Sequence, residues 1–199
     1  AGEALELSPR EWLLLELLLT QREQVDAIVL PWQGGQEAGN AVTDVLTGKV
    51  NPSGKLPVSF PLHYKDVPSS NFFPGEALSD EVVMDAYLNM PRGKHSQMKH
   101  QDGIYVGYRY YDSFAVPVAY PFGYGLSYTS FTYENLSATA MGQRLVATVD
   151  IRNTGKVAGA DVAQLYLKMP EGSATPIRLI GFQKVTLQPG ESRRIRIEA

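Results

Sequence analysis

Apolar and polar residues alternate between Leu145 and Ile151. A period of two places successive side chains on opposite faces of a β-strand, so this run predicts a half-buried strand. Strand-like segments recur with Gly- and Pro-containing turns between them, at 131–137, 162–167, 177–185 and 193–197. The pattern predicts an antiparallel β-sandwich over residues 129–199. An immunoglobulin-like sandwich has about seven strands in about 100 residues, so we expect this five-stranded module to be unfinished and the chain to be part of a longer polypeptide.

The first half of the chain has a different periodicity, and residues 1 to about 60 are predicted to be α/β. Ser8, Pro9 and Glu11 supply an N-cap, a proline at the first helical position and a capping box, which predict a helix that enters the apolar run 12–19. A strand-like run at 25–30 is followed by apolar residues at helical spacing over 36–46, ahead of Gly48. A strand followed by a helix is half of a βαβ unit.

Within the first half, periodicity is lost from 63 to 102, where prolines and glycines interrupt the chain. We expect this excursion to be irregular, and loops of such length are commonly functional lids or partner contacts. A short strand-like run at 56–60 precedes the excursion, and a tyrosine-rich strand is predicted over 104–111.

The composition excludes several classes of partner. The chain has 18 Lys and Arg against 21 Asp and Glu, without a basic cluster, which argues against a nucleic-acid partner. The longest apolar stretch, 12–19, is shorter than the roughly 20 residues that cross a bilayer, so no membrane partner is predicted. The three histidines, His63, His95 and His100, lack ligand spacing, so no metal is expected.

Two carboxylates stand out by their sequence context. Glu3 lies between small residues, where it is either a solvated terminal side chain or a carboxyl that projects from a loop. Glu37 falls at a predicted helix N-terminus, where the helix dipole favours a carboxylate for structural reasons. Three aromatic residues could stack on a sugar face or be buried: Trp32, Phe72 and Phe73.

Long ordered strings in the chain resemble a known family. The strings at 34–41 (GGQEAGNA), 51–61 (NPSGKLPVSFP) and 103–112 (GIYVGYRYYD) are similar to the second domain of family 3 glycoside hydrolases, the β-glucosidase family. The string at 120–131 (YPFGYGLSYTSF) resembles the passage from that domain into a fibronectin-III-like module, and 187–191 (LQPGE) resembles a turn of that module. The resemblance extends over nearly the whole chain. It implies the C-terminal part of an α/β sandwich domain over residues 1–128, followed by the N-terminal part of a fibronectin-III-like sandwich over residues 129–199.

The resemblance also implies an activity. Members of this family are retaining, exo-acting β-glycosidases, most commonly β-glucosidases, which use two carboxylates and no cofactor on terminal non-reducing sugars. An Asp nucleophile comes from an N-terminal (β/α)₈ barrel, and the general acid/base Glu often lies in a small-Gly-Glu-small string that Ala1-Gly2-Glu3-Ala4 matches. Leu5-Glu6-Leu7 stands where many members have Asp-Arg, and a further strand usual in the family is lacking between Gln21 and Arg22.

The barrel is absent from this sequence, so the nucleophile is not among these residues and the isolated chain is expected to be inactive. The implied partners are a β-linked oligosaccharide or glycoside substrate and the barrel domain of the same protein, with a homo-oligomer also possible. A periplasmic or secreted location is favoured over a cytoplasmic one. The alternative from another class is a non-catalytic β-sandwich module used for interaction or carbohydrate adhesion.

Overall fold

The computed structural model describes residues 27–73, 75–84, 87 and 91–199. Both Glu3 and the helix predicted from Ser8 lie outside these ranges. The described helices and strands, in chain order, are α1 (Ala38–Leu46), β1 (Phe60–Pro61), β2 (Glu76–Met84), β3 (Pro91–Gln97), α2 (Tyr108–Ser113), β4 (Val118–Tyr120), β5 (Phe131–Met141), β6 (Arg144–Asn153), β7 (Gly159–Lys168), β8 (Ile177–Leu187) and β9 (Ser192–Glu198). Within the described ranges, no helix has the length and apolar character needed to cross a membrane.

The helix predicted over 36–46 is confirmed. A 3-10 turn at Gly35–Glu37 leads directly into α1, which ends at Leu46. Gly48 follows the C-cap residue Thr47 with a φ of 74°, the left-handed conformation that commonly terminates a helix. The hydroxyl of Tyr128 donates a hydrogen bond to the Val45 carbonyl at 2.8 Å, which fixes the end of α1 to the segment that enters the second half.

The strand predicted over 25–30 is not formed in its described part, residues 27–30, which are irregular. A strand requires a hydrogen-bonded neighbour, and the described part of this half offers none to these residues. The run at 56–60 contributes only its last residue to a strand, because β1 begins at Phe60 and pairs antiparallel with β4.

The excursion from 63 to 102 contains more regular structure than predicted. Two 3-10 turns, Tyr64–Asp66 and Pro68–Asn71, precede an antiparallel hairpin formed by β2 and β3. The described side chains of both strands are exposed, apart from the half-buried Val83. Because neither face of the hairpin enters a core, its sequence lacks the alternation by which strands are recognised.

The strand predicted over 104–111 is wrong, because α2 begins at Tyr108 within that run. Gly107 precedes it with φ 59° and ψ −138°, a conformation that favours glycine and turns the chain out of an extended path. The ring of Tyr108 packs against Phe122 and Tyr166, with centroid distances of 5.3 and 6.1 Å. These tertiary contacts override the preference of aromatic residues for strands.

All five strands predicted for the second half are confirmed. They form a three-stranded sheet in the order β5-β6-β9 and a two-stranded sheet of β7 and β8, with every pairing antiparallel. Apolar side chains from both sheets make one core: Val149, Ile151, Ala163, Val185, Leu187, Ile195 and Ile197. Ile151 and Leu187 are fully buried at its centre. The period-two pattern therefore identified both the strands and the faces that they bury.

Candidate functional site

Glu3, the predicted general acid/base, lies outside the described residues, whereas Glu37 lies within them. Glu37 occupies the N-cap position of α1 and is exposed. Its Oε2 atom accepts a hydrogen bond from Nδ2 of Asn40 at 2.7 Å, one turn into the helix. This contact supports the structural reading of Glu37.

The three aromatic candidates differ in accessibility. Trp32 and Phe73 are 40% and 52% exposed, whereas Phe72 is half-buried. Phe73 follows the turn at Pro68–Asn71, and its backbone N–H donates to the Ser69 carbonyl at 3.0 Å. Trp32 and Phe73 therefore present rings that a ligand can reach.

The histidines occupy separate positions. His63 caps the turn at Tyr64–Asp66, and its backbone N–H donates to Oδ2 of Asp66 at 3.1 Å. Nδ1 of His100 lies 3.6 Å from Oδ2 of Asp102, while His95 lies in the exposed strand β3. In the described part of the chain, no group of three or more potential ligand side chains could hold a metal ion.

A largely buried ion pair joins the two halves of the chain. Nζ of Lys55, from the first half, lies 2.8 Å from Oδ1 of Asp161 on β7, and both side chains are largely buried. The hydroxyl of Tyr133 on β5 donates to Oδ2 of the same carboxylate at 2.6 Å. Lys55 also donates to the Gly125 carbonyl at 2.7 Å. We call Lys55, Tyr133 and Asp161 the junction cluster.

Opposing effects act on the pKa of Asp161. Burial alone would raise it, but the hydrogen bonds from Lys55 and Tyr133, with the charge of Lys55, hold it below its ordinary value. The pKa of Tyr133 is raised, first by burial and then by its hydrogen bond to Asp161. The cluster is therefore a lysinium–carboxylate pair with a protonated tyrosine as a second donor.

We expect the junction cluster to lose its stabilising effect in acid. Because the pKa of folded Asp161 is lowered, its contribution is complete above the ordinary value of 3.8 and disappears as the pH falls through the folded value. Urea unfolding at about pH 6 and about pH 3 should show a larger acid loss for the wild type than for Lys55→Met. Lys49→Met is the matched control, because the Lys49–Asp44 ion pair is exposed at the lysine. Equal acid losses in the wild type and Lys55→Met would contradict this expectation.

A second link between the halves is the side chain of Asn51. Its Nδ2 donates to the Ala158 carbonyl at 3.0 Å, just ahead of β7. Its Oδ1 accepts hydrogen bonds from the Ser127 hydroxyl at 2.9 Å and the Tyr128 backbone N–H at 2.8 Å. One side chain thus fixes the linker between the halves against the start of β7.

Asn153, the last residue of β6, is a fully buried polar residue inside the sandwich. Its Nδ2 donates to the carbonyls of Val157 and Leu187, at 2.8 and 3.1 Å. Its Oδ1 accepts from the Thr129 hydroxyl at 2.6 Å and the Gly155 N–H at 3.0 Å. Every hydrogen-bonding position of the amide is therefore occupied.

Sequence reasoning missed the roles of these residues. No local pattern assigns a role to Asn51 or Asn153, and the members of the junction cluster are far apart in the chain. No local spacing could have brought Lys55 to Asp161. The one available signal was that Asn51 and Lys55 both lie in the string at 51–61 that carries the family resemblance.

Two open clefts lie along the junction. The larger, about 440 Å³, lies between the end of α2 and the β7–β8 turn, and Asp112 and Lys168 line it. Partial burial raises the pKa of Asp112. The smaller, about 250 Å³, is apolar, with Leu56 and Phe122 from the first half and Phe182 from β8 among its lining residues. The first cleft offers charged hydrogen-bonding groups, and the second offers an apolar surface.

Two family models match the chain. The glycosyl hydrolase family 3 C-terminal domain matches residues 10–128. The fibronectin type III-like domain matches residues 161–199. The first match ends just before β5, and the second begins within β7.

Known proteins are similar over most of the chain. Beta-glucosidase B of Emericella nidulans is 45% identical over 184 residues, which are 88% of this chain and 20% of that protein. Among solved structures, beta-glucosidase 3B from Thermotoga neapolitana in complex with glucose is 45% identical, with a TM-score of 0.76 over 90% of this chain and 24% of that chain. The beta-glucosidase from Kluyveromyces marxianus in complex with glucose is 35% identical, with a TM-score of 0.75 over 90% of this chain and 20% of that chain.

This chain spans only about a fifth of the curated relative that it matches. Within that span, one family model includes α1 and the first-half residues of both clefts. The other includes β8, β9 and all but the first two residues of β7. The expected fold class, an α/β domain portion followed by a fibronectin-III-like sandwich, is confirmed. The chain belongs to glycosyl hydrolase family 3.

Proposed function

We propose that this chain is part of a retaining β-glucosidase that removes terminal, non-reducing β-linked glucose. The observation that carries the proposal is the similarity to the Thermotoga neapolitana beta-glucosidase solved with glucose, at 45% identity over 90% of this chain. The Kluyveromyces marxianus enzyme, also solved with glucose, supports the same sugar.

The proposed reaction is a double displacement by two carboxyl groups. In a retaining glycosidase these groups lie about 5–5.5 Å apart across the scissile bond. The acid protonates the leaving oxygen while the nucleophile forms a glycosyl–enzyme bond, and the conjugate base then activates a water molecule that breaks that bond. We assign the acid/base role to Glu3 and the nucleophile to an Asp in a barrel domain that this chain lacks.

The described carboxylates differ in how well their pKa values suit a general acid. Asp161, Asp150 and Glu191 have lowered pKa values, since hydrogen bonds and basic neighbours outweigh any burial at each carboxylate. A general acid needs the opposite shift, toward the working pH. Among the described carboxylates whose pKa departs from its ordinary value, only that of Asp112 is raised. Asp112 is therefore the described residue against which the assignment of Glu3 should be compared.

The division of the two carboxylates between domains makes the isolated chain inactive under this proposal. A glycosidase that has lost its nucleophile can bind a sugar but cannot form the covalent intermediate. Adding the barrel in the same polypeptide should restore hydrolysis. Activity of the 199-residue chain alone would show that both carboxylates lie within it.

The stereochemistry of the first product tests the proposed function directly. The full-length protein is incubated with a β-linked glucose disaccharide, and the anomeric protons are followed by NMR from the first minutes. A retaining enzyme releases β-glucose first, which then mutarotates. Initial release of α-glucose would mean an inverting mechanism. Binding of the disaccharide without hydrolysis would favour a non-catalytic carbohydrate-adhesion module.

A further inference from the structure

One short sequence pattern has no part in the proposed reaction. Asn135-Leu136-Ser137 has the form Asn-X-Ser with a residue other than proline in the middle, which is the acceptor pattern for N-linked glycans. It is the only such pattern in the 199 residues. Because three-residue patterns also arise by chance, the position of Asn135 in the fold has to show whether a glycan fits there.

The pattern lies at a β-bulge in strand β5. The register with β6 shifts between Glu134 and Ser137, which leaves Asn135 and Leu136 out of the pairing of the two strands. Asn135 has a φ of 54°, a left-handed conformation that asparagine adopts more readily than most residues. A bulge bends its strand and changes the direction of its side chains. The acceptor residue therefore lies at a local interruption of the sheet and not within its regular ladder.

The side chain of Asn135 lies on the polar face of its sheet. Its Nδ2 atom donates a hydrogen bond to Oδ2 of Asp150 at 2.8 Å, and Asp150 is on the face of β6 opposite the core. The neighbouring side chains on this face of β6 and β9 are also polar or charged: Thr148, Arg152, Arg194, Arg196 and Glu198. An antiparallel sheet with one apolar and one polar face meets solvent on the polar side. Access to the Asn135 amide therefore follows from the composition of this face as well as from the exposure of the residue.

The sheet accommodates a substituent on this amide. An asparagine amide has two N–H donors, and a glycan replaces one of them, so one donor remains for the contact with Asp150. Asp150 also accepts two hydrogen bonds from Arg194, at 2.7 and 2.8 Å. Its carboxylate therefore stays paired in either orientation of the substituted amide.

We propose that Asn135 is an acceptor site for an N-linked glycan. The co-reactant is an oligosaccharide joined through a pyrophosphate to a lipid, and an oligosaccharyl transferase presents it to the chain. A bond forms between Nδ2 of Asn135 and C1 of the first sugar, and the bond between C1 and the pyrophosphate oxygen breaks. The amide proton that is lost passes to the released lipid pyrophosphate. The inference is independent of the reaction that the protein catalyses.

Peptide mass spectrometry tests the site in the full-length protein, secreted from a fungal host. Treatment with peptide N-glycosidase in heavy-oxygen water converts a glycosylated asparagine into an aspartate that carries the heavy isotope. We expect this label at Asn135. The control within the same chain is Asn51-Pro52-Ser53, where the central proline prevents transfer, so Asn51 should stay unlabelled. A peptide with unmodified Asn135, or equal labelling at Asn51 and Asn135, would overturn the proposal.

Ser137→Ala separates the acceptor role of Asn135 from its structural role at the bulge. The change removes the hydroxyl of the acceptor pattern but keeps Asn135 and its hydrogen bond to Asp150. The label at Asn135 should disappear, while far-UV circular dichroism and hydrolysis of a β-glucoside should match those of the wild type. Label that persists in Ser137→Ala would show that the Asn-X-Ser pattern is not what is recognised, and would overturn the proposal.

Discussion

We expect Glu3→Ala in the full-length enzyme to reduce hydrolysis of a β-linked disaccharide by about 10³-fold, within the range of general acid–base catalysis. A sugar alcohol is a poor leaving group and departs slowly without a proton. A dinitrophenyl glycoside has a good leaving group, so its first step should be affected much less. The covalent intermediate should then accumulate, because the water that hydrolyses it has lost its base.

Azide separates this role from a structural one. A small anion can replace the unactivated water, so azide should restore turnover of Glu3→Ala on the dinitrophenyl substrate and yield a β-glycosyl azide. A structural Glu3 would give equal losses on both substrates, a lower melting temperature and no response to azide.

Two other carboxylates serve as comparisons for Glu3. Glu6 is the nearest neighbour in sequence, and Asp112 is the described carboxylate with a raised pKa. Glu6→Ala and Asp112→Asn should retain disaccharide hydrolysis within a few-fold of the wild type. If Glu3→Ala retains it and one of these variants does not, the acid/base role belongs to that residue.

The largest effect on stability should come from Asn153→Ala. The change leaves the buried carbonyl of Leu187 without this donor. It also removes hydrogen bonds to the part-buried Val157 carbonyl, the Gly155 N–H and the Thr129 hydroxyl. A buried polar group without a partner costs about 1–3 kcal/mol and each other lost hydrogen bond about 0.5–1.5 kcal/mol, so a total loss of about 3–5 kcal/mol is expected. Urea unfolding, monitored by the β-sheet signal in far-UV circular dichroism, measures this loss as a lower urea concentration at the midpoint of unfolding.

Asn135→Gly is the matched control for Asn153. Asn135 is exposed, has a φ of 54° that suits glycine, and donates one hydrogen bond to Asp150. We expect a change of less than about 1 kcal/mol for this variant. Similar losses for both asparagines would show that burial and full hydrogen bonding of Asn153 contribute little.

The sandwich could be predicted from the sequence because the local residue pattern identifies each of its strands. The alternation in β6 follows from one face of the strand entering a core, so Val149 and Ile151 are identifiable without knowing their partners. The β2–β3 hairpin lacks this signal, since both faces are exposed. The tyrosine-rich run at 104–111 carries the wrong local signal, because packing of Tyr108 against Phe122 and Tyr166 determines its conformation.

The candidate site was predictable to a smaller extent. Glu3 was identified through family resemblance, since its spacing alone favours a solvated terminal residue. The junction cluster depends on a contact between Lys55 and Asp161, which lie more than 100 residues apart. No residue pattern around Lys55 or Asp161 indicates this contact, so it can be identified only in the folded chain.

The hydrogen bonds of Asn51 and Asn153 bear on how this part of the protein can be recombined. The predicted boundary between residues 128 and 129 falls between two anchored groups, the Tyr128 N–H held by Asn51 and the Thr129 hydroxyl held by Asn153. A sandwich transplanted from residue 129 onward would leave behind Lys55, the cationic partner of Asp161. Chimeras of family members should therefore tolerate exchange of the segment 51–199 as a block better than exchange of the sandwich alone. The unit to exchange in such chimeras is therefore larger than the β-sandwich, because it includes the residues of the first half that hydrogen-bond to the sandwich.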